Sequence, residues 1–221
     1  MAAGAMGKAY DATWGRLFAR FYDRALKATE ENGLGQMRAD LLAGARGRVI
    51  EVGAGTGANL DLYGAGVEDL TLVEPDPHMG ARLREKLADR GGNPIPARLV
   101  AAPAEALPFG DDTFDTAVAT LVLCTIPDPV GAIAELARVL APGGRLLFIE
   151  HVRAEDPSSA RRQDRLEKPW RFLADGCHCN RDTEASLRAS AFTVETIEHG
   201  KMPKAAPIVR PLIRGTAVLS A

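Results

Sequence analysis

The sequence has no run of about 18 apolar residues, the length a helix needs to cross a bilayer, so no membrane-spanning segment is expected. It has only three cysteines, Cys124, Cys177 and Cys179. An odd, sparse set of this kind argues against a disulfide framework and suits a reducing cytoplasm. Charge of neither sign dominates: 27 Lys and Arg face 29 Asp and Glu, a formal net charge of −2. That excludes the global basic field of a nucleic-acid-binding protein. Residues 1–8 lack the charged-then-apolar order of a secretory signal, and a cytoplasmic location is expected. No internal repeat, low-complexity tract or interdomain linker is visible. The 221 residues are 46% hydrophobic and 25% charged. This is the composition of an ordinary globular protein long enough for one domain with a full core.

Within that background one stretch stands out, Arg48-Val49-Ile50-Glu51-Val52-Gly53-Ala54-Gly55-Thr56-Gly57. Val49, Ile50 and Val52 are apolar and β-branched, as a strand buried on both faces requires. The three glycines then remove Cβ atoms where the backbone must turn and approach a ligand. Residues 58–62 can start a helix, and a glycine turn between strand and helix places free N–H groups at the edge of a parallel sheet.

The rest of the chain alternates. Residues 10–33 carry Trp14, Leu17, Phe18, Phe21, Tyr22 and Ala25 at helical spacing, with Arg16, Arg20 and Arg24 off the stripe. This helix can pack on the core, cover a substrate pocket or touch a membrane surface; its mixed charges rank the membrane last. A second helix is expected over 36–43, stopped by Gly44 and Gly47. Strands are expected over 70–74, 98–102, 114–120 and 145–150. Helices are expected over 78–89, closed by Gly91-Gly92, and from Pro129 behind an Asp128 N-cap to Pro142-Gly143-Gly144. This pattern gives an α/β fold with a parallel sheet and helices on both faces. Beyond it come a charged helix over 158–174, a loop over 177–181, a helix from Asp182 or Thr183 through Ser190, and strands over 192–197 and 213–219. The last two strands suit a closing hairpin. One domain over 1–221 is expected, a helical cap over 1–46 on a core over 47–221.

The glycine loop fits two templates, a dinucleotide fingerprint with Glu74 as its later acid and an adenosylmethionine loop. Three features favour the second. Glu51 lies two residues before the first glycine, where a carboxylate suits a cationic ligand and repels a pyrophosphate. The segment 104–115 leads into the fourth strand, and the chain closes on a hairpin.

Glu51-Val52-Gly53-Ala54-Gly55-Thr56-Gly57, Leu107-Pro108-Phe109 with Phe114-Asp115, and Arg138-Val139-Leu140-Ala141-Pro142-Gly143-Gly144 together resemble the class I S-adenosylmethionine-dependent methyltransferases of the small-molecule type. Gly55-Thr56-Gly57-Ala58-Asn59, Glu74-Pro75-Asp76-Pro77-His78, Leu121-Val122-Leu123-Cys124, Glu150-His151-Val152, Asp175-Gly176-Cys177 and the tail from Val209 to Gly215 resemble the methyltransferase-like 7 group, the alkyl-thiol methyltransferases. More loosely, the same pieces resemble bacterial phospholipid N-methyltransferases. The animal thiol enzymes carry a hydrophobic N-terminal anchor that residues 1–8 do not match.

The resemblance implies a Rossmann-like sheet of seven strands, mostly parallel, with an antiparallel C-terminal hairpin. It implies S-adenosyl-L-methionine as cofactor and S-adenosyl-L-homocysteine as product. Gly53, Ala54, Gly55, Thr56 and Gly57 would lie under the methionine part, with Glu51 near its ammonium and Asn59 in the same set. Glu74 would accept hydrogen bonds from both ribose hydroxyls. Pro75 and Met79 would flank adenine. Relatives place an aspartate at the position of Pro103, so Ala104 backbone groups or Glu105 must serve the adenine amino group. Thr120 and Leu121 would line the methyl-transfer side.

The expected reaction is methyl transfer to a small molecule, a thiol first, with a small amine or phospholipid headgroup as the alternative. A nicotinamide oxidoreductase and a non-catalytic cofactor binder are the readings from other classes. His151, directly after the fifth strand, is the candidate base. Cys177-His178-Cys179 has no second pair at zinc-finger spacing, so no metal is expected, and Cys124 is expected to be buried and inert. Peripheral membrane contact and oligomeric state stay open.

Overall fold

The computed structural model describes residues 14–91 and 95–220. The start of the first expected helix, residues 1–8 and Gly92 lie outside these residues.

Seven strands form one sheet: β1 (Gly47–Val52), β2 (Val67–Val73), β3 (Ala97–Val100), β4 (Phe114–Thr120), β5 (Leu140–His151), β6 (Phe192–Lys201) and β7 (Pro211–Leu219). Their order is β3-β2-β1-β4-β5-β7-β6. The first five run parallel, and β7 lies antiparallel between β5 and β6. This is the expected mostly parallel sheet with a C-terminal hairpin. β1 occupies the middle, with Val49, Ile50 and Val52 at 0% exposure. Alternation along β1 sends these side chains to opposite faces. Ile50 and Val52 pack with Ala117, Phe148, Ile133 and Leu136, whereas Val49 packs with Leu70, Val118, Leu42 and Leu83. Helices therefore cover both faces: α2 (Gly35–Leu42) and α3 (Pro77–Asp89) on one, α4 (Pro129–Val139) and α6 (Thr183–Arg188) on the other. Among the described residues the other α-helices are α1 (Arg16–Thr29) and α5 (Pro157–Leu173). Among the described residues no helix is long and apolar enough to cross a membrane.

Local chemistry explains the element ends. Asp76 caps α3 by accepting from His78 N and Met79 N, and Asp128 caps α4 by accepting from Gly131 N, each with proline following the cap. Gly33, at φ +136°, breaks the chain between α1 and α2. Some expected bounds shift, two of them for a clear physical reason. Residues 58–62 form successive turns, not a helix, closed by Gly57 N to Ala54 O, Leu60 N to Gly57 O and Leu62 N to Asn59 O. The span between Gly57 and Gly64 is too short to repay helix nucleation, and the Asn59 side chain is drawn inward. α4 ends at Val139, before Pro142, because Leu140 leaves it to pair with Phe114.

The strand order reverses at β1, whose neighbours are β2 and β4. The crevice this creates at the carboxyl ends of the strands is where open α/β sheets bind ligands.

Candidate active site

A cavity of about 820 Å³ opens at that edge, within the usual range for a small-molecule site. Gly53, Gly55, Glu74, Pro75 and Met79 line one side of it, and Thr120, Leu121, Val122 and His151 another. Gly53 stands at φ +61°, and a Cβ there would lie 2.0 Å from Val122 Cγ2. The missing side chain is what lets the β1 and β4 loops close together. The β4 loop is held by Glu150. Its carboxylate accepts from Val122 N and Leu123 N at 2.9 Å and from Cys124 N at 3.2 Å, and Leu121 sits at φ +57°. Burial pushes the Glu150 carboxyl up to about 7.

Glu74 directly follows β2 on the cavity wall. Its Oε2 accepts from Gly55 N and its Oε1 from Asp76 N, both at 2.8 Å. Burial raises its pKa, while these two bonds oppose the rise. Each carboxylate oxygen has a second lone pair, so two acceptor positions remain for a diol.

Glu51 is placed differently from the expectation. It is 3% exposed and stands off the cavity wall. Tyr63 Oη donates to it at 2.6 Å and Asn59 Nδ2 at 2.9 Å. Asn59 is itself held by Arg38 Nη1 at 3.0 Å, and the same Nη1 donates to Thr120 Oγ1 at 2.7 Å. Arg38, 3% exposed, completes its bonding through Nε to Glu30 at 3.1 Å. The carboxylate expected to meet a ligand ammonium directly thus already has two protein donors. It acts on the cavity through a chain of polar groups that ends at Thr120.

Burial pushes the Glu51 carboxyl from 4.5 up to about 7, against the pull of Tyr63 and Asn59. Between those values the folded state holds a proton that the unfolded state has lost. Stability is therefore greatest below about pH 4.5 as far as this group is concerned, and falls as pH rises toward 7. Glu150 acts with the same sign. Glu51→Gln is expected to remove about half of the slope that the two groups produce. Urea midpoints measured from mild acid to neutrality check this; an unaltered slope would sink it.

α1 forms the roof. Leu17, Phe18, Phe21 and Tyr22 line the cavity from above, and Trp14 stacks on Phe172 of α5 with centroids 6.5 Å apart. Asp23 fastens this roof to the loop: its carboxylate accepts from Thr56 Oγ1 and pairs with Lys86 at 3.3 Å. Leu17 and Phe21 are each 48% exposed, so the mouth is rimmed with apolar surface.

The floor beside β5 holds a cluster that sequence spacing does not show. His151 Nε2 lies 2.8 Å from Cys177 Sγ, and Trp170 Nε1 donates to the same sulfur at 3.2 Å. Cys124 completes the group. One ligand atom from each of Cys124, His151 and Cys177 lies within 4.8 Å of the others. Hydrogen bonding from Cys124 and from His151 draws the Cys177 thiol well below its usual range despite burial. Burial alone would lower His151, but its Cys177 contact raises it. His151 Nδ1 is buried without a hydrogen-bond partner among the described residues. Cys177-His178-Cys179 does not act as a unit. His178 turns to Glu167, with Nδ1 to Oε1 at 2.9 Å, and Cys179, fully buried, donates to Gln163 O.

Of the residues anticipated from sequence, Gly53, Gly55, Glu74, Pro75, Met79, Ala104, Glu105, Thr120, Leu121 and His151 line the cavity. Ala54, Thr56, Gly57, Asn59 and Glu51 shape the loop from behind. Sequence reasoning missed Arg38, Tyr63 and the clamp made by Glu150; it named Tyr22 on the stripe of the covering helix and Cys177 in a loop, without pairing Cys177 with His151. Only the buried-strand position of Glu150, immediately before His151, offered a signal.

The site fits a ribose-bearing ligand. The glycines leave a cradle that a Cβ would fill, and Glu74 keeps two acceptor positions. The sequence matches the family model described as a methyltransferase domain over residues 50–148. It is 34% identical over 179 residues to the thiol S-methyltransferase TMT1A of Homo sapiens, covering 80% of this chain and 73% of that one. It is 40% identical over 105 residues to the phosphatidylethanolamine N-methyltransferase of Cereibacter sphaeroides, covering 48% of this chain and 51% of that one. The crystal structure of a putative methyltransferase from Bacillus halodurans superposes with a TM-score of 0.68 at 16% identity, over 85% of this chain and 100% of that one. That likeness supports the fold, and the first relative supports the lineage: the chain belongs to the class I S-adenosylmethionine-dependent methyltransferases, in the family that includes TMT1A.

Proposed function

We propose that this methyltransferase S-methylates a small, largely apolar thiol. The observation that carries the reading is a single cavity with three qualities. It has the glycine cradle and Glu74 at one end, an apolar roof at the mouth, and His151 with Cys177 on its floor.

S-adenosylmethionine, when bound, supplies a methyl group already activated by its sulfonium. Glu74 would hold the ribose, Pro75 and Met79 the adenine faces, and the Gly53 and Gly55 backbone the methionine part. Glu51 would act through Asn59 and Arg38 on Thr120, keeping the methyl-transfer side fixed. The α1 roof would exclude water and align an apolar acceptor for in-line attack. A thiol is only a few per cent ionised at neutral pH, so the acceptor must lose its proton on the floor of the cavity. His151 and Cys177 are the groups placed to promote that loss.

His151→Ala is expected to lower kcat by about 10²-fold, within the range of general acid–base contributions, while cofactor Kd stays unchanged. Turnover of a thiol panel together with calorimetric titration of the cofactor separates the two effects. Wild-type turnover would remove His151 from the chemistry. The resemblance to the phosphatidylethanolamine N-methyltransferase and the apolar rim support a second reading, an amine or phospholipid headgroup as acceptor. Methylation of phosphatidylethanolamine with no turnover of any thiol would favour that reading over the first.

A further inference from the structure

We propose that Cys124, His151 and Cys177 form a three-ligand zinc site whose open fourth position faces the acceptor cavity. The inference deepens the thiol reading and rests on it for the identity of the fourth ligand.

The three groups come from separate elements: the loop after β4, the last residue of β5 and the loop after α5. All three line the cavity, and their ligand atoms lie within 4.8 Å of one another. Two thiolates and a neutral imidazole are a soft donor set of the kind zinc takes. Two thiolates also cancel the charge of a divalent ion, so the ion can be buried without a net charge. Three protein ligands and an open position are the pattern of reactive zinc centres, whereas closed four-ligand sites are structural.

The frame is rigid enough to hold such a site. Cys124 N donates to Glu150, and Cys124 O accepts from His178 N at 2.9 Å. That second bond ties the Cys124 loop to the Cys177 loop. His151 is fixed by the pairing of β5 with β7 at Leu212. Trp170 Nε1 donates to Cys177 Sγ from outside the triad, as groups around a metal thiolate commonly do. A tetrahedral ion would hold His151 Nε2 and Cys177 Sγ about 3.5 Å apart. They now lie at 2.8 Å, so binding requires only a side-chain adjustment.

The chemistry balances without an oxidant or reductant. An acceptor thiol displaces zinc-bound water and binds as thiolate, releasing its proton to solvent through that water. The thiolate sulfur then uses one electron pair to bond the methyl carbon. The carbon–sulfonium bond breaks, and its electron pair stays on the departing thioether, S-adenosylhomocysteine. The methylated acceptor is a neutral thioether, a weaker ligand than a thiolate, and leaves the ion.

The test is metal analysis of the full-length protein. Wild type is expected to retain about one zinc per chain after gel filtration. With cobalt in its place, it should show a sulfur-to-cobalt charge-transfer band and tetrahedral d–d bands. Cys124→Ser and Cys177→Ser should each lose the cobalt signature while still binding S-adenosylmethionine, which reports that they are folded. If the serine variants do not fold, zinc titration of wild type with a competing chromophoric chelator still decides. Under a tenth of an equivalent of zinc at saturation, with no cobalt band, would overturn the proposal and leave a metal-free imidazole–thiol pair. Zinc bound stoichiometrically by a protein that methylates no thiol would keep the site and refute the thiol reading. Thiol turnover at an undiminished rate after complete zinc removal would do the reverse.

Discussion

Glu74→Ala should weaken S-adenosylmethionine binding by about 10²–10⁴-fold. The basis is the two acceptor positions left on the carboxylate after Gly55 N and Asp76 N have used the others. Hydrogen bonds to a charged group contribute about 1.5–3 kcal/mol each, and a ribose diol would make two. The loss has a second component, because Gly55 N would lose the acceptor that orients the cradle. Free-protein stability should change little, since burial already raises the pKa of this carboxylate and so opposes its charge. Glu74→Gln keeps one acceptor oxygen and should fall between wild type and alanine. Calorimetric titration of the cofactor into each variant measures the effect. An unchanged Kd for the alanine variant would refute the ribose role.

Gly53→Ala should be the most damaging one-carbon change in the loop, and Gly55→Ala a mild one. Both positions have positive φ, +61° and +55°, so both substitutions carry a backbone penalty of about 1–2 kcal/mol. They differ in space. The added Cβ at Gly53 would meet Val122 Cγ2 at 2.0 Å, whereas at Gly55 the nearest atom is Gly53 O at 4.0 Å. Val122 cannot retreat freely, because its N–H is bound to Glu150. Overpacking of this kind adds about 1–3 kcal/mol. With about 2–4 °C per kcal/mol for a chain of this size, Gly53→Ala should lower Tm by roughly 4–20 °C. Gly55→Ala should lower it by roughly 2–8 °C. Gly53→Ala should also lose cofactor binding, because the β1 and β4 loops would be forced apart. Equal Tm values for the two variants would show that the approach of Val122 does not control this loop.

The elements were legible because their signals are short-range. The Asp128 helix cap, with proline after it, could be read within a few residues. So could the β-branched run of β1 and the glycines that follow it. Two of the misplaced boundaries, at 58–62 and at Val139, fall where a tertiary demand overrides local preference. Asn59 is pulled toward Glu51, and Leu140 is pulled toward Phe114.

The site was legible only in part. Glu74 could be placed on the cavity wall because the fold brings the end of β2 to the carboxyl edge of the sheet whatever surrounds it. Glu51 was seen, but its contacts were not. Tyr63, 12 residues later, and Asn59, 8 residues later, occupy its carboxylate. Arg38 gave no sign at all, since an arginine on a helix reads as a solvated charge until its neighbours are known. Its partners Asn59 and Thr120 lie 21 and 82 residues away.

The strand-by-strand alternation, the cradle glycines and the acid after β2 are thus carried by the order of residues alone, because helix period, strand period and turn geometry act over a few bonds. The meeting of Cys124, His151 and Cys177 depends instead on parallel strands ending at one edge and on the loop from α5 returning beneath them. Their separations along the chain, 26 residues from His151 to Cys177 and a similar reach back to Cys124, exceed the range of any local rule. Long-range packing of the sheet, with Glu150 pinning the β4 loop, is what turns three scattered side chains into one chemical site.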